Sequence, residues 1–304
     1  MPPAPEKISV IIPAYNRAGD IEPVVKTIMA QTIQDLEIII VDDASPDEKV
    51  VAAIEAMVTA HPAKIRLIKH NTNRGAAAAR NTGILAAKGE FIALLDSDDE
   101  WFPNKLEIQL AALTATPDPT TLCICDYLQV PKYGDEKPIT LRPSQKPDLK
   151  MDILYGRVYN ICSNMLIRRS AFNPSSMFDE SFNTICEDYD WLIRHILRGG
   201  NIIAVNEVLT IWKSELKKPY RNHRESLLIL RRLHYDNIRK TLGINASRHF
   251  MGGIHAHLLF VARQKKQRLK CAYHFTMMAV IPPNFFKRLR NYLVHHLSPR
   301  SATS

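Results

Sequence analysis

Short apolar runs alternate with amphipathic segments along the first hundred residues. The runs are rich in β-branched residues and end at polar or turn residues, which is the pattern of buried strands. They occupy residues 8–12, 37–41, 64–68 and 90–95. Helix-like segments separate them at residues 20–31, 47–60 and 76–87. This alternation predicts parallel βαβ units in a doubly wound, mostly parallel α/β sheet flanked by helices.

The alternation continues less regularly after the third predicted helix, which Gly89 is placed to end as a C-cap. We predict helices at residues 104–114 and 189–197, strands at residues 122–130, 164–167 and 201–212, and a loop at residues 131–150. Beyond residue 213 the pattern is helical only, so we place a domain boundary near residue 215. The predicted domains are residues 1–215 and a mostly helical C-terminal region, residues 216–304.

The distribution of charge divides the chain at the same place. The net charge of the whole chain is +9, but residues 1–212 carry −7 and residues 213–304 carry +16. This asymmetry predicts an acidic body and a basic tail that meets an anionic partner. Residues 284–297 repeat apolar side chains at helical spacing with basic residues between them. Such a helix fits an anionic membrane surface, and it fits equally well a terminal helix packed on the body.

The cysteine content and the N-terminal sequence favour a reducing compartment. The five cysteines are too few and too scattered for a disulfide framework. The proline-rich start leads directly into a strand-like run, without the pattern of a secretory signal, and no stretch of about 18 apolar residues is present. We therefore expect a cytoplasmic protein, with peripheral attachment to the inner face of the membrane left open.

An acidic cluster follows the fourth predicted strand. Alternate residues of an extended chain point the same way, so Asp96 and Asp98 would direct their carboxylates to one point. Two hard oxygen donors suit Mg²⁺ or Mn²⁺, which neutralise a diphosphate. A solvated acidic turn, or a helix N-cap at Asp99, explains the same residues without a metal.

Polar residues also follow the first two predicted strands. A carboxylate after the second strand, at Asp42 or Asp43, can accept hydrogen bonds from a ribose or a base. The simpler alternative is that Ser45 or Asp47 caps the next helix. Tyr15 follows the first strand, where a tyrosine stacks on a base or simply packs. Because strand ends meet at one edge of a parallel sheet, we expect these polar residues to gather in one crevice.

Two further motifs place charge near predicted helix starts. Gly75 lets the chain enter a helix closely, and Arg80 projects one turn later, where it can pair with phosphate or lie at the surface. Glu187 and Asp188 open another helix. The helix macrodipole alone favours acidic residues there, and a carboxylate there can equally act as a general base.

Together, in this order and spacing, these motifs resemble those of the family 2 glycosyltransferases, which have the GT-A fold. The resemblance covers about residues 7–200 and rests on five strings. They are Ser9-Val-Ile-Ile-Pro-Ala-Tyr-Asn16, Val41-Asp-Asp-Ala-Ser45, Asn73-Arg-Gly-Ala-Ala-Ala-Ala-Arg-Asn-Thr-Gly83, Leu95-Asp-Ser-Asp-Asp99 and Glu187-Asp-Tyr-Asp190. The resemblance implies inverting transfer of a sugar from a nucleotide-diphospho-sugar, with UDP favoured, to an acceptor hydroxyl. The acceptor would be a saccharide or a lipid-linked saccharide, in cell-surface polysaccharide or glycolipid assembly.

The resemblance also implies roles for individual residues of the first domain. The residues implied to bind the nucleotide-sugar are Pro13, Tyr15, Asn16, Asp43, Arg80, Asp96 and Ser97. Asp98 and Asp96 would hold Mn²⁺ or Mg²⁺, and Asp188, with Glu187 as second choice, would be the catalytic base. The Gln-x-x-Arg-Trp string of processive synthases is missing, which favours single or limited sugar transfer.

Three other functions remain open at the level of sequence. One is a nucleotide-sugar-binding protein without catalytic activity. Another is a nucleic-acid or anionic-surface binder acting through the basic tail, although no nucleic-acid-binding module is recognisable, which disfavours nucleic acid. The third is a nucleotidyltransferase, which would carry a glycine-rich basic loop where residues 13–16 stand. The sequence indicates no oligomeric state.

Overall fold

The computed structural model describes residues 8–16, 20–131, 137–159, 161–182, 185–214, 220–264 and 267–279. The chain divides into two compact units. Unit 1 comprises Met1–Lys150 and Asn160–Lys217, and unit 2 comprises Met151–Tyr159 and Lys218–Ser304. The domain boundary near residue 215 stays a prediction. The basic amphipathic segment at residues 284–297 lies outside the described residues.

The predicted alternation of strands and helices is confirmed. The strands are β1 (Ile8–Ala14), β2 (Leu36–Asp42), β3 (Ile65–Lys69), β4 (Phe91–Leu94), β5 (Glu100–Trp101), β6 (Leu122–Pro131), β7 (Ile139–Leu141), β8 (Leu166–Arg168) and β9 (Ile202–Ser214). The helices are α1 (Ile21–Met29), α2 (Glu48–Ala60), α3 (Ala76–Ala86), α4 (Lys105–Thr114), α5 (Leu149–Leu154), α6 (Glu187–Leu197), α7 (Tyr220–Leu242), α8 (Ile244–Gln264) and α9 (Arg268–Ala279). The prediction of a loop at residues 131–150 is wrong in two places. Strand β7 pairs with β6, and α5 begins at Leu149.

All nine strands that the described residues form belong to one sheet, in the order β3-β2-β1-β4-β8-β6-β9-β5, with β7 beside β6. The four longest pairings, β1 with β2, β1 with β4, β2 with β3, and β6 with β9, are parallel. Strand β8 is antiparallel to both β4 and β6. The predicted α/β sheet is therefore confirmed, and the carboxyl ends of β1, β2 and β4 meet at one edge.

Every residue of β1 and β2 is buried, because helices cover both faces of the sheet. Three of these buried residues are polar, namely Ser9, Glu37 and Asp42. The Ser9 hydroxyl donates to Glu37 at 2.7 Å, and the Gly89 N–H donates to Ser9 Oγ at 2.9 Å. The prediction of Gly89 as a helix C-cap is wrong, since α3 ends at Ala86 and Ala87 is already extended. The backbone N–H of Gly89 instead forms a hydrogen bond with the buried hydroxyl of Ser9.

Helix α3 packs closely on the sheet at Gly83. A Cβ atom built on Gly83 would lie 2.4 Å from Cγ2 of Ile11, a fully buried residue of β1. We expect Gly83→Ala to lower the free energy of unfolding by about 1–3 kcal/mol through this overlap. The helix propensity of alanine, worth ~1 kcal/mol over glycine, opposes the loss without cancelling it.

Urea denaturation measures this effect, with Leu85→Ala as the matched control. Leu85 lies on the solvent face of the same helix and is 79% exposed. Its truncation should change the free energy of unfolding by only about 0.5 kcal/mol. A Gly83→Ala protein as stable as the parent would show that α3 sits farther from β1 than described.

The described part of unit 2 is helical. Gly243 separates α7 from α8 and has a φ of 88°, which a glycine adopts without strain. Histidine pairs join the helices, with His223 Nδ1 3.1 Å from His257 Nε2 and His255 Nδ1 3.1 Å from His274 Nδ1. Within the described ranges, no helix is both long enough and apolar enough to span a bilayer.

Candidate functional site

The loops after β1 and β2 meet at the carboxyl edge of the sheet. Asn16 donates its N–H to Ser45 Oγ at 2.9 Å, which ties one loop to the other. Tyr15 is 46% exposed beside them, whereas Pro13 is buried within β1 and pairs with Val41. The ring of Tyr15 is therefore accessible and that of Pro13 is enclosed in the sheet, and nucleoside binding by this loop stays a prediction.

Asp43 anchors the turn that enters α3. Its carboxylate accepts the N–H groups of Arg74 at 2.9 Å and Gly75 at 2.7 Å, and it lies 2.7 Å from His70 Nδ1. His70 Nε2 contacts the Thr82 hydroxyl at 2.9 Å, so the imidazole links Asp43 to the body of α3. Gly75 has a φ of 87°, which the tight turn requires.

The neighbouring acidic residues serve the local backbone. Asp42 accepts from the backbone N–H and the hydroxyl of Ser45. Asp47 is the N-cap of α2 and accepts from the Lys49 N–H at 2.9 Å. The predicted capping of this helix is thus confirmed for Asp47, and Asp43 is the carboxylate that faces the α3 turn.

Arg80 is buried at the centre of the candidate site, with only 3% of its surface exposed. One guanidinium nitrogen lies 2.6 Å from Asp96 Oδ1 and another lies 2.8 Å from Glu187 Oε1. The guanidinium also lies 5.6 Å from the centre of the Phe178 ring. We call this pair of ion pairs the Arg80 fork. It joins the carboxylate after β4 to the acidic start of α6, so the surface position left open for Arg80 is wrong.

Asp188 follows Glu187 in the first turn of α6. Burial, and then the charge of Glu187, raises the pKa of Asp188 to about 7, although the positive charge of Arg80 opposes the shift. A carboxylate with such a pKa exchanges a proton readily near neutral pH. Glu187, by contrast, is engaged by Arg80. The two carboxylates therefore have different surroundings, and the choice of Asp188 over Glu187 as the base stays a prediction.

The acidic cluster after β4 is a turn. The Asp99 N–H donates to the Asp96 carbonyl at 3.2 Å, so the extended conformation predicted for this segment is wrong. Asp96 and Asp98 remain partly exposed, whereas Ser97 and Asp99 are buried. Burial, with the charges of Asp96 and Asp98, raises the pKa of Asp99 well above its usual range. Asn104, not Asp99, occupies the N-cap position of α4.

The carboxylates of this turn could bind a divalent ion only together with oxygen atoms from a bound diphosphate. In the portion of the chain that the structure describes, no group of three or more His, Cys, Asp or Glu residues is placed to hold a metal. Mg²⁺ is commonly bound by one or two carboxylates together with substrate phosphates. Asp96 and Asp98 fit that mode of binding, in which diphosphate oxygens complete the coordination.

Three non-glycine residues of the described chain have a positive φ, and all of them adjoin this site. They are Asn16 at 55°, Ala44 at 60° and Cys186 at 75°. Asn16 and Ala44 lie in the loops after β1 and β2, and Cys186 immediately precedes α6. Strained backbone of this kind concentrates at functional sites. The positions of these three residues therefore agree with the site that Asp43, Asp96 and Glu187 mark.

Sequence reasoning missed several residues that build the site. Glu180 pairs with Arg74 at 2.8 Å and accepts from Asn81 at 2.9 Å, which holds the segment before α6 against α3. His70 supports Asp43, and Ser163 contacts the turn after β4. Each lies far along the chain from its partner or outside the recognised strings, so no local pattern signals it.

The sheet order and the carboxylates at its edge define a GT-A-type fold, and solved structures agree. S. aureus TarS 1-349 in complex with UDP-GlcNAc has a TM-score of 0.59 and 16% identity, over 94% of this chain and 91% of that chain. The mannosyltransferase PcManGT from Pyrobaculum calidifontis, in complex with GDP-Man and Mn²⁺, has a TM-score of 0.59 and 19% identity, over 97% and 86%. The predicted GT-A fold is confirmed.

The chain belongs to glycosyl transferase family 2, whose model matches residues 9–174. The predicted family resemblance is therefore confirmed. The Escherichia coli UDP-Glc:alpha-D-GlcNAc-diphosphoundecaprenol beta-1,3-glucosyltransferase WfgD is 37% identical over 204 residues, 66% of this chain and 73% of that protein. The putative colanic acid biosynthesis glycosyl transferase WcaA of E. coli K12 is 31% identical over 206 residues, 67% and 71%.

Some relatives are much longer than the matched region. An uncharacterized glycosyltransferase of Rickettsia felis is 30% identical over 230 residues, which are 73% of this chain but 37% of that protein. A relative in Rickettsia bellii is matched over 26% of its length. The chain thus spans 26–37% of the length of these two relatives.

Proposed function

We propose that this chain is an inverting glycosyltransferase that moves a sugar from a nucleotide-diphospho-sugar, with UDP favoured, to an acceptor hydroxyl. The observation that carries the proposal is the Arg80 fork, which brings Asp96 of the β4 turn and Glu187 of α6 onto one guanidinium. Family membership favours this enzyme over a nucleic-acid or anionic-surface binder. It also favours it over a nucleotidyltransferase, since the matched family is one of sugar transferases.

The donor would lie along the carboxyl edge of the sheet. The loops bearing Tyr15, Asn16 and Asp43 would hold the nucleoside, and the turn bearing Asp96 and Asp98 would face the diphosphate. Mn²⁺ or Mg²⁺ held by those two carboxylates would neutralise charge on the leaving nucleoside diphosphate. The presence of Mn²⁺ beside GDP-Man in PcManGT supports this choice of ion.

Asp188 would remove the proton from the acceptor hydroxyl as its oxygen attacks the anomeric carbon. Attack from the side opposite the leaving diphosphate inverts the configuration at that carbon. Asp188 suits this role because its pKa of about 7 makes it a stronger base than an ordinary carboxylate. Glu187 would not accept the proton itself, but its negative charge raises the pKa of Asp188.

The names of two relatives support an acceptor in polysaccharide assembly. The name of WfgD specifies a GlcNAc-diphosphoundecaprenol acceptor, and WcaA is named for colanic acid biosynthesis. We therefore propose a saccharide or lipid-linked saccharide acceptor for this chain. The net charge of +16 in residues 213–304 suits peripheral attachment to an anionic membrane that carries such a lipid.

Calorimetric titration with UDP, GDP and dTDP, with and without Mn²⁺, tests the donor site. We expect one nucleotide to bind in a metal-dependent way, and Asp98→Ala to weaken that binding by at least about tenfold, since a carboxylate ligand is lost. Asp35→Ala is the matched control, because Asp35 is exposed just before β2, at the opposite edge of the sheet. Binding that ignores both Mn²⁺ and Asp98, or no binding at all, would overturn the proposed donor site.

A further inference from the structure

We propose that Ser163 is a positioning residue that sets the turn carrying Asp96 and Asp98, acting through Asp99. The inference rests on the function proposed above, because it assigns the support of the same metal and diphosphate site. It also separates the roles of the acidic cluster. Asp96 and Asp98 would face the ligand, and Asp99 would hold the turn from inside the protein.

The hydroxyl of Ser163 contacts both ends of the turn. It accepts the Asp96 N–H at 3.0 Å, and it donates to the Asp99 carboxylate in a short hydrogen bond. Ser163 is fully buried in a 3-10 turn at Cys162–Asn164. A single hydroxyl thereby fixes the backbone where the turn begins and the side chain where it ends.

Asp99 is committed to this internal role. Its other carboxylate oxygen accepts the Lys213 N–H at 2.9 Å, and its own N–H closes the turn onto the Asp96 carbonyl. Only 1% of the Asp99 surface is exposed. Both carboxylate oxygens thus contact protein donors, so Asp99 is turned away from the edge where a diphosphate would bind.

The backbone of Ser163 is itself held in place. Its carbonyl accepts the Trp101 indole N–H at 2.6 Å. The next carbonyl, that of Asn164, accepts the side-chain amide of Gln109 at 2.8 Å, and Gln109 in turn accepts from buried Lys105 at 2.6 Å. A buried network with these connections leaves the hydroxyl little freedom to move. The geometry of the turn therefore depends on a residue 64 positions away from Asp99.

Removal of the hydroxyl should weaken metal-dependent binding while leaving the ligand carboxylates in place. Groups that orient metal ligands typically contribute about 10–100-fold to metal affinity. We expect Ser163→Ala to raise by that factor the Mn²⁺ concentration that gives half-maximal nucleotide binding. Binding of the nucleotide without metal should stay within about twofold of wild type, because the loops after β1 and β2 are unchanged.

The experiment titrates Mn²⁺ into the full chain at a fixed concentration of the nucleotide that wild type binds. Ser176→Ala is the matched control, since Ser176 is another buried serine whose hydroxyl donates to the Ala171 carbonyl at 2.8 Å. Ser163→Thr keeps a hydroxyl and should restore most of the Mn²⁺ affinity. Thermal denaturation of all variants separates loss of stability from loss of positioning.

A rise in the Mn²⁺ requirement for Ser163→Ala, absent from Ser176→Ala and reversed in Ser163→Thr, would support the proposal. An unchanged Mn²⁺ requirement in Ser163→Ala would overturn it and leave the donor site standing. If the alanine variant does not fold, Ser163→Cys replaces it, because a thiol leaves no cavity in place of the hydroxyl and forms only weak hydrogen bonds. Wild-type protein that binds no nucleotide with Mn²⁺ would overturn the proposed function and this inference together.

Discussion

Arg80→Ala is expected to lower the free energy of unfolding by about 3 kcal/mol, as the loss of one partner from a buried ion pair does. The change would leave Asp96 and Glu187 beside each other without the cation between them. We place the loss at the low end of the range because the side chain of Asp96 keeps 30% exposure. Urea denaturation at neutral pH measures it.

Arg74→Ala is the control for this stability effect. Arg74 precedes the same helix and forms an ion pair of similar length, 2.8 Å, with Glu180, but both side chains are nearly half exposed. Its removal should therefore change the free energy of unfolding by about 0–1 kcal/mol. Equal losses in the two variants would contradict a special role for burial in the Arg80 fork.

Arg80→Ala should also move the pH dependence of sugar transfer. The charge of Arg80 lowers the pKa of Asp188, so its loss would raise that pKa above 7. A base with a higher pKa is protonated over more of the neutral range, and the acid side of the rate profile should shift to higher pH. An Arg80→Ala profile that coincides with that of wild type would contradict the electrostatic link.

Asp188→Asn is expected to reduce kcat by about 10²–10⁴-fold, the usual contribution of a general base. The amide keeps the shape of the carboxylate, so nucleotide affinity should stay unchanged. If Asp188 is the base, the active form of the wild-type protein is the one with this carboxylate deprotonated. The rate should rise with pH, reach half its maximum near the pKa of about 7, and level off above it.

Glu187→Gln distinguishes the base from its neighbour. The charge of Glu187 is the second cause of the raised pKa of Asp188, so its removal should lower that pKa. The variant should keep activity and shift the acid side of the profile to lower pH, the reverse of Arg80→Ala. If Glu187→Gln loses as much kcat as Asp188→Asn at every pH, the assignment of the base is wrong.

The strands and helices were predictable because burial leaves a local trace. Strands covered on both faces are mostly apolar, and β1 and β2, which are buried at every residue, contain only three polar residues. The errors fall where tertiary contacts override local pattern. Glycine is a common residue at helix C-termini, but Gly89 lies beyond the end of α3 and donates its N–H to the Ser9 hydroxyl. Strand β7 is only three residues long, too short for a period-2 pattern to stand out, and it pairs with β6.

The residues of the candidate site also fall into two groups, those that local sequence motifs indicate and those that only tertiary contacts bring together. Arg80, Asp96 and Asp188 lie in recognisable strings, and the parallel pairing of β1 with β2 and β4 explains why the loops after these strands meet at one edge. The residues that hold them in place lie outside any pattern that the sequence shows. Ser163 reaches Asp99 across 64 residues, and Asn81 reaches Glu180 across 99. A serine or asparagine at such a distance carries no periodic or motif signal, so only the three-dimensional structure reveals the contact.

The Arg80 fork also has a consequence for the chain as it emerges from the ribosome. Its two ion pairs join residues 16 and 107 positions apart. Translation at about 5–20 residues per second separates the completion of Asp96 from that of Glu187 by roughly 5–20 s. During that interval the nascent chain can pair Arg80 with Asp96 alone. We expect Asp96 to neutralise the guanidinium while β1–β4 assemble, so that α6 later docks onto an Arg80 side chain already in place.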